Sequence, residues 1–572
     1  MASDKILRIF LTELEGTLED RCKDILRRIS PSQRVVEIVF FVDAPSGMVF
    51  NESETCLQDC CRSYFGKALP MVTCIAQKPI GATLSAEVLF LRGEEWIEYH
   101  GDYLLVRGKE CTELFTRGIH SPSPVKVFDR IREILESEEF QVSDIVRQWN
   151  YIEGITEVTD GKQNYQVFND SRSAFYREAS WPSGYPAATG IGCASGGVTV
   201  VVHAIKGSAE VSIPIDNPIQ VPAHRYSGKV LKDGEEAVKT TPKFERARLL
   251  GDTVLVSGTA AIKGEDSDFS TDAGKQSEGV IDVMEHLVAP ANIFPKCERF
   301  HFEGIRVYIK HEEDAPVIAS ILKDHWKGVP MHFLKADICR SELLLEIEGR
   351  GSTRRFLECC CTDTFEAVEA QAGGASRIEL CEDLSCGGVT PRIEVVEKVL
   401  SHVCIPVNVL VRPRGGDFVY NEAEIEEMAG SIGRLKGLGV NGVVIGALKR
   451  DGSVDIPAME RLLEAAEGLH VTFHRAFDEC SDPFTALDDI VSLGIERLLT
   501  AGHASNVNDG AFTLKELQKA ANGRIVIMAG SGVRRENVHE LEKLTRLDEF
   551  HSTSHGPDGK TARETVADIC SV

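Results

Sequence analysis

Past residue 350 the chain settles into a strict alternation of short apolar runs and longer amphipathic ones. The runs "RFLECCC", "ASRIELC", "IPVNVLVRP", "GVNGVVIGAL", "HVTFHRAF", "IERLLTAG", "RIVIMAGSG" and "LDEFHSTS" have the length and composition of buried strands. Helix-period stretches such as "TFEAVEAQAGG" and "NEAEIEEMAGSIGRLKGLG" separate them. Eight strands alternating with helices over about 220 residues predict a (β/α)8 barrel, residues 350–572. Because the sequence stops at Val572, the eighth helix is expected to be short or incomplete.

Upstream of the polar, glycine-rich "EGRGSTRRF" (348–356) the pattern is different. Strand-like runs ("VVEIVFFVDA", "AEVLFL", "GVTVVVHAI", "DTVLVSGTAAI", "IRVYIK", "LLLEIEG") mix with a few helical stretches and predict α+β structure. A boundary is expected near "SDIVRQWNYIEG", giving domains 1–145 and 146–349 ahead of the barrel. The expected fold class is therefore α/β multidomain, α+β domains followed by a TIM barrel.

Charge narrows the partners. With 63 basic and 88 acidic residues the formal charge is −25, which argues against nucleic acid, since that affinity comes from neutralising phosphates. An anionic ligand would need a local arginine cluster. The charged start "MASDKILRIF" is unlike a signal peptide, and no run approaches 18 apolar residues, so a cytoplasmic protein off the membrane is expected. The 17 cysteines follow no framework spacing and should be reduced there. Cys56, Cys60 and Cys61 lack a second ligand pair, which speaks against zinc. Self-association into a homo-oligomer is left open.

Chemistry-bearing residues gather at the carboxyl ends of the barrel runs, where such folds keep their active sites. Alternation puts Glu358 and Cys360 on one face of the first strand, and Glu379 and Cys381 repeat that spacing on the second. Two thiols on adjacent strands would suit Cu(I) or a reversible disulfide; the plainer reading is small buried hydrophobes. "RPRGGDF" adds Arg412, Arg414 and Asp417, "TFHRAFD" adds His474, Arg475 and Asp478, and the last strand adds His551. Together these predict a pocket for a small anion. On "GGASRIELCEDLSCGGVTP", "RPRGGDF", "VTFHRAFD", "LLTAG" and "EFHSTS", residues 355–555 resemble the CutC family. That resemblance implies copper homeostasis, with Cys360 and Cys381 as Cu(I) ligands.

In "DICRSELLLEIEG" (337–349) alternation puts Glu346 and Glu348 on one face of an apolar strand, either as edge charges or as a buried acid with a raised pKa. "RQWNYIEGI", "NYQVFNDSRSAFY", "LVSGTAAI", "IRVYIK" and "ADICRSELLLEIEG" make residues 146–349 similar to the chorismatases, which share the fold of the YjgF-like deaminases. The resemblance implies cleavage of chorismate to pyruvate without a cofactor. Glu346 would be the acid, and Cys339 would mark the subclass forming 3-hydroxybenzoate rather than a dihydroxycyclohexadiene acid. Arg172, Arg306 and Arg340 would hold the carboxylates, Tyr165 and Tyr226 would donate hydroxyls, and Gly258 would let backbone approach the ring. Residues 1–145 would be the divergent first half of the same architecture. "GIGCASGG" (190–197) fails as a dinucleotide loop, because a strand follows where a helix is required. The rival expectation is a copper-binding barrel behind a YjgF-like deaminase or ligand-binding module.

Overall fold

The computed structural model describes residues 4–571 except 160, 208–210, 228–231, 234–236, 239, 268–270 and 295–296. It comprises two compact units, residues 1–323 with 329–353, and residues 324–328 with 354–572.

The first unit repeats one topology three times. In the first copy the chain runs Lys5–Thr12, helix Leu18–Leu26, Val35–Phe41, helix Gly47–Phe65, Met71–Ile75 and Leu84–Leu91. The helical crossover makes Val35–Phe41 and Met71–Ile75 parallel, and Leu84–Leu91 inserts antiparallel between Lys5–Thr12 and Val35–Phe41. The second copy repeats this with Thr112–Thr116, Ile145–Glu153, Ala187–Cys193 and Val198–Ile205. The third does so with Thr253–Thr259, His301–Ile309, Met331–Lys335 and Leu345–Ser352. Even the register is shared: Phe41 faces Ser85, Tyr151 faces Thr199, and Tyr308 faces Glu346. Those three aromatic residues meet in one buried cluster. The second sheet reaches from Trp96 to Ile205 and so runs through position 145.

Where the sheets converge, buried charges take the place of apolar packing. Arg306 of the third sheet donates to Glu87 of the first at 2.5 and 2.8 Å, and its other nitrogen lies 2.6 Å from Glu348. Glu348 also accepts from Arg147 of the second sheet at 2.5 Å. Burial alone would raise the Glu87 pKa, but Arg306 and His332 outweigh it and hold the carboxylate far below its ordinary range.

The second unit is a closed barrel of eight parallel strands: Phe356–Cys361, Arg377–Leu380, Val407–Leu410, Gly442–Ile445, His470–Phe473, Arg497–Thr500, Val526–Ala529 and Glu549–Ser552. Helices intervene, and most start at an Asp or Asn whose side chain accepts a first-turn N–H, as Asp363, Asn421 and Asn506 do. The eighth helix, Arg563–Ser571, is present and packs against Thr364–Gly373. One interior layer is charged rather than apolar: Glu358 pairs with Arg377, and Glu549 bridges Arg377 at 2.9 Å and Arg497 at 2.6 Å. Among the described residues no helix is long and apolar enough to cross a membrane.

Removing one member of a buried ion network strands its partners. Arg306→Leu should therefore lower the stability of the first unit by about 3–5 kcal/mol. Urea unfolding followed by the fluorescence of Trp149, beside Arg147, measures this.

Candidate functional site

Two pockets bring the candidate residues together. The first lies between the second and third copies of the repeated topology. Helix Asn164–Tyr176 presents Tyr165, Asn169 and Arg172 on one face, as their spacing of four and three requires. Opposite stand Gly258 on strand Thr253–Thr259, Glu346 on strand Leu345–Ser352, and Cys339 and Arg340 on the preceding loop. Tyr226 completes the wall.

Glu346 and Glu348 are two residues apart and share a face, yet their surroundings differ. Glu348 accepts from Arg147, Thr189, Trp149 and Tyr308. Glu346 forms no ion pair among the described residues, and burial together with the nearby Glu348 charge pushes its pKa up to about 8. It is a neutral acid at pH 7. Burial above all raises Cys339 to about 12, so it is a thiol rather than a thiolate.

Gly258 is required by distance. A Cβ there would stand 2.0 Å from Glu346 Oε1 and 3.0 Å from Thr189 Cγ2. The absent side chain leaves room for the acid.

Arginines supply the positive charge. Arg172, only 2% exposed, donates to Asn169 Oδ1 at 2.6 Å, while its Nε has no partner among the described residues. Arg340 donates to Ser267 Oγ at 2.8 Å and stacks on the Tyr226 ring. Arg246, not foreseen, lines the same pocket, donates to Tyr226 Oη at 2.8 Å and keeps a buried Nε without a partner among the described residues. Its only signal is the alternation in "ERARLL", which puts Arg246 and Arg248 on one strand face. Arg306 does not reach this pocket; it belongs to the Glu87–Glu348 network, where two buried carboxylates hold it.

The second pocket opens at the carboxyl ends of the barrel strands and is lined by Cys360, Glu379, Cys381, Arg412, His474, Arg475, Asp478 and His551. Three expected lining residues lie elsewhere. Glu358 sits below, paired with Arg377, because one layer of this interior is ionic. Arg414 is drawn to Glu424 at 2.6 Å and to Asp417 at 3.0 Å, leaving both on the exposed rim. Asp478 reaches the pocket but mainly secures a loop, accepting the N–H groups of Ala501 and His503 and the Thr500 hydroxyl. Cys386, Ser531 and Arg534 also line the pocket. They come from loops, where no strand periodicity marks them.

Cys360 and Cys381 Sγ atoms are 3.6 Å apart. Their shared hydrogen bond and burial keep the Cys360 proton in place. Cys360, Glu379 and His551 each put a donor atom within 4.8 Å of the others. Burial would lower the His551 pKa, but Glu379 at 3.4 Å and Glu358 at 4.0 Å outweigh it and raise it. Burial, then Arg412, pushes His474 down to about 4.

Residues 355–556 match the family model described as the CutC family, and residues 100–204 match the one described as chorismatase FkbO/Hyg5-like, N-terminal. The latter range corresponds to the second topological copy and includes Tyr165 and Arg172. A CutC family protein of Parabacteroides distasonis is 47% identical over 204 residues, 35% of this chain and 83% of the relative. Among solved structures, a CutC from Streptococcus agalactiae is 34% identical over 35% of this chain and 98% of its own, with a TM-score of 0.34. A chorismatase crystal structure is 20% identical over 61% of this chain and 98% of its own, with a TM-score of 0.45.

Placing a methyl group beside the carboxyl tests the geometry directly. Gly258→Ala should leave the fold intact by circular dichroism and displace Glu346, lowering turnover at this site by about 100-fold.

Proposed function

Because the chain belongs to the CutC family through residues 355–556 and carries a chorismatase-like domain ahead of them, we propose that its first unit cleaves chorismate and its barrel binds a small anion. One observation carries the first half: a buried carboxyl with a raised pKa and no ion pair among the described residues lies across a pocket from arginines whose Nε donors have no partner among them either. Chorismate brings two carboxylates and an enolpyruvyl ether. Arg172, Arg246 and Arg340 suit the carboxylates, because a guanidinium fork matches their geometry.

Glu346 gives its proton to the terminal methylene carbon of the enolpyruvyl group. The ether carbon becomes an oxocarbenium ion, stabilised by the Glu346 carboxylate left behind. Water that adds to this carbon gives a hemiketal, whose collapse breaks the bond to the ring oxygen, hands that oxygen a proton and frees pyruvate, leaving a dihydroxycyclohexadiene acid. If the ring's own hydroxyl adds instead and gives up its proton, the cyclic ketal opens by breaking one ring carbon–oxygen bond, pyruvate leaves with that oxygen, and loss of a ring proton completes 3-hydroxybenzoate. Cys339, a thiol beside Glu346, favours the second outcome.

Purified protein incubated with chorismate should release pyruvate, detected with lactate dehydrogenase, together with 3-hydroxybenzoate on chromatography. Glu346→Gln should reduce the rate by about 100- to 10,000-fold. Because the raised acid must be protonated to act, kcat/KM should hold below about pH 8 and fall tenfold per unit above it. Intact chorismate with hydrolysis of short-lived enamines would replace this reading by a deaminase.

The thiol pair supports Cu(I) as a second occupant of the barrel. Sulfur donors 3.6 Å apart with His551 close by suit a soft ion, and Cys360, Cys381 and His551 would hold it. Anaerobic titration should give stoichiometric copper that a Cys360→Ser, Cys381→Ser double variant loses. Retention of copper by that variant ends this reading.

A further inference from the structure

Thr189 is turned away from the first pocket, yet its hydroxyl joins the second sheet to the third directly behind the acid. On strand Ala187–Cys193, alternation sends Ala188 and Gly190 to the pocket wall and Thr189 to the opposite, buried face. Thr189 Oγ1 accepts from Arg147 Nη2 at 2.9 Å and from the Gly258 N–H at 3.0 Å, and it donates to Glu348 Oε2. A hydroxyl has one proton and two lone pairs, so this oxygen is saturated. Its orientation is fixed as well. The guanidinium and the amide can only donate, which leaves the hydroxyl proton for the Glu348 carboxyl.

The Gly258 amide lies beside the acid. A Cβ on Gly258 would stand 2.0 Å from Glu346 Oε1, and the Thr189 methyl is 3.0 Å from that same point. Hydrogen bonds donated to a carboxylate favour its ionised form, so a free N–H here would work against a proton-donating Glu346. Thr189 takes up that N–H, together with one from Arg147.

The other groups around the acid leave this balance to Thr189. Glu348 on its own strand opposes ionisation, whereas Arg147 of strand Ile145–Glu153 and Arg246, just ahead of strand Ala247–Leu250, favour it. Tyr165 and Arg172 face it from helix Asn164–Tyr176, and Cys339 and Arg340 from the preceding loop. None of them makes a hydrogen bond to Glu346 among the described residues.

We propose that Thr189 is a positioning residue for the acid: its hydroxyl engages the Gly258 N–H and an Arg147 N–H, keeping donors off Glu346 so that the carboxyl retains the proton it delivers. This rests on the reading of Glu346 as the acid. Thr189 touches no substrate and acts only through Gly258, Arg147 and Glu348.

Thr189→Val keeps the shape and removes the hydroxyl. It should lower kcat for chorismate by about tenfold and move the alkaline limb of kcat/KM down by about one pH unit, with KM little changed. Thr189→Ser, which keeps the hydroxyl, should leave the limb where wild type has it. If circular dichroism shows Thr189→Val unfolded, Thr189→Ala removes the hydroxyl without adding bulk. Infrared spectroscopy gives a readout that needs no turnover. The carbonyl band of a protonated carboxyl, present in wild type and missing in Glu346→Gln, should titrate about one unit lower without the hydroxyl. Intact chorismate together with that band shift ends the cleavage reading and leaves the positioning role standing. A limb and band unmoved by loss of the hydroxyl, or moved equally in Thr189→Ser, overturn the positioning role. A wild-type protein without the band at pH 7 overturns both.

Discussion

Everything in the first unit depends on Arg306. It occupies the point where three sheets converge, its guanidinium within 2.6 Å of both Glu87 and Glu348, and it helps hold the Glu87 carboxylate far below its ordinary range. A buried guanidinium is costly alone, and two buried carboxylates are costlier still. Together, with Arg147 and two tyrosine hydroxyls, they satisfy one another. The chemistry follows from this arrangement. With Glu348 drawn into the network, the strand's two-residue period sends Glu346 to the same face but without an ion pair among the described residues. Burial first, and the nearby Glu348 second, push the acid's pKa up, outweighing the pull of Arg147 and Arg246.

The repeated topology explains why only one cleft is equipped in this way. Ser85, Thr199 and Glu346 hold corresponding places in the three sheets, and only the last carries a carboxyl. At Ser85 the hydroxyl is 2.7 Å from His332, whose other nitrogen is 2.7 Å from Glu87, so that position is absorbed into structure. Thr199 packs under Gly118, where a Cβ would stand 2.9 Å from its methyl.

The barrel was legible in the sequence because its strands and helices have distinct periods and alternate without interruption. So were Tyr165, Arg172, Tyr226, Gly258, Cys339, Arg340 and Glu346, which converge on one pocket. Residues whose role depends on distant partners were not legible. Arg306 meets Glu87 across 219 positions, and no local pattern records that pairing. Glu358 was placed with the pocket because its strand face was right, but depth along a barrel strand is set by the stagger between strands. Arg414 and Asp417 sit in a loop that turns them toward each other. Threefold repetition is hidden as well, since Phe41, Tyr151 and Tyr308 share a position without sharing the sequence around them. Among the cysteines, the Cys22 thiol meets the thiols of Cys60 and Cys61 on a separate helix, a meeting that spacing along one helix does not reveal.

A threefold arrangement assembled from identical separate chains must accept every substitution in triplicate, since one codon writes all three places. Here the three places lie on one chain and are encoded separately. An arginine can be placed once, a carboxyl can be planted at one of three corresponding positions, and a serine and a threonine can stand at the others, each change tested alone. The price of that freedom is that no second copy covers for a damaged one.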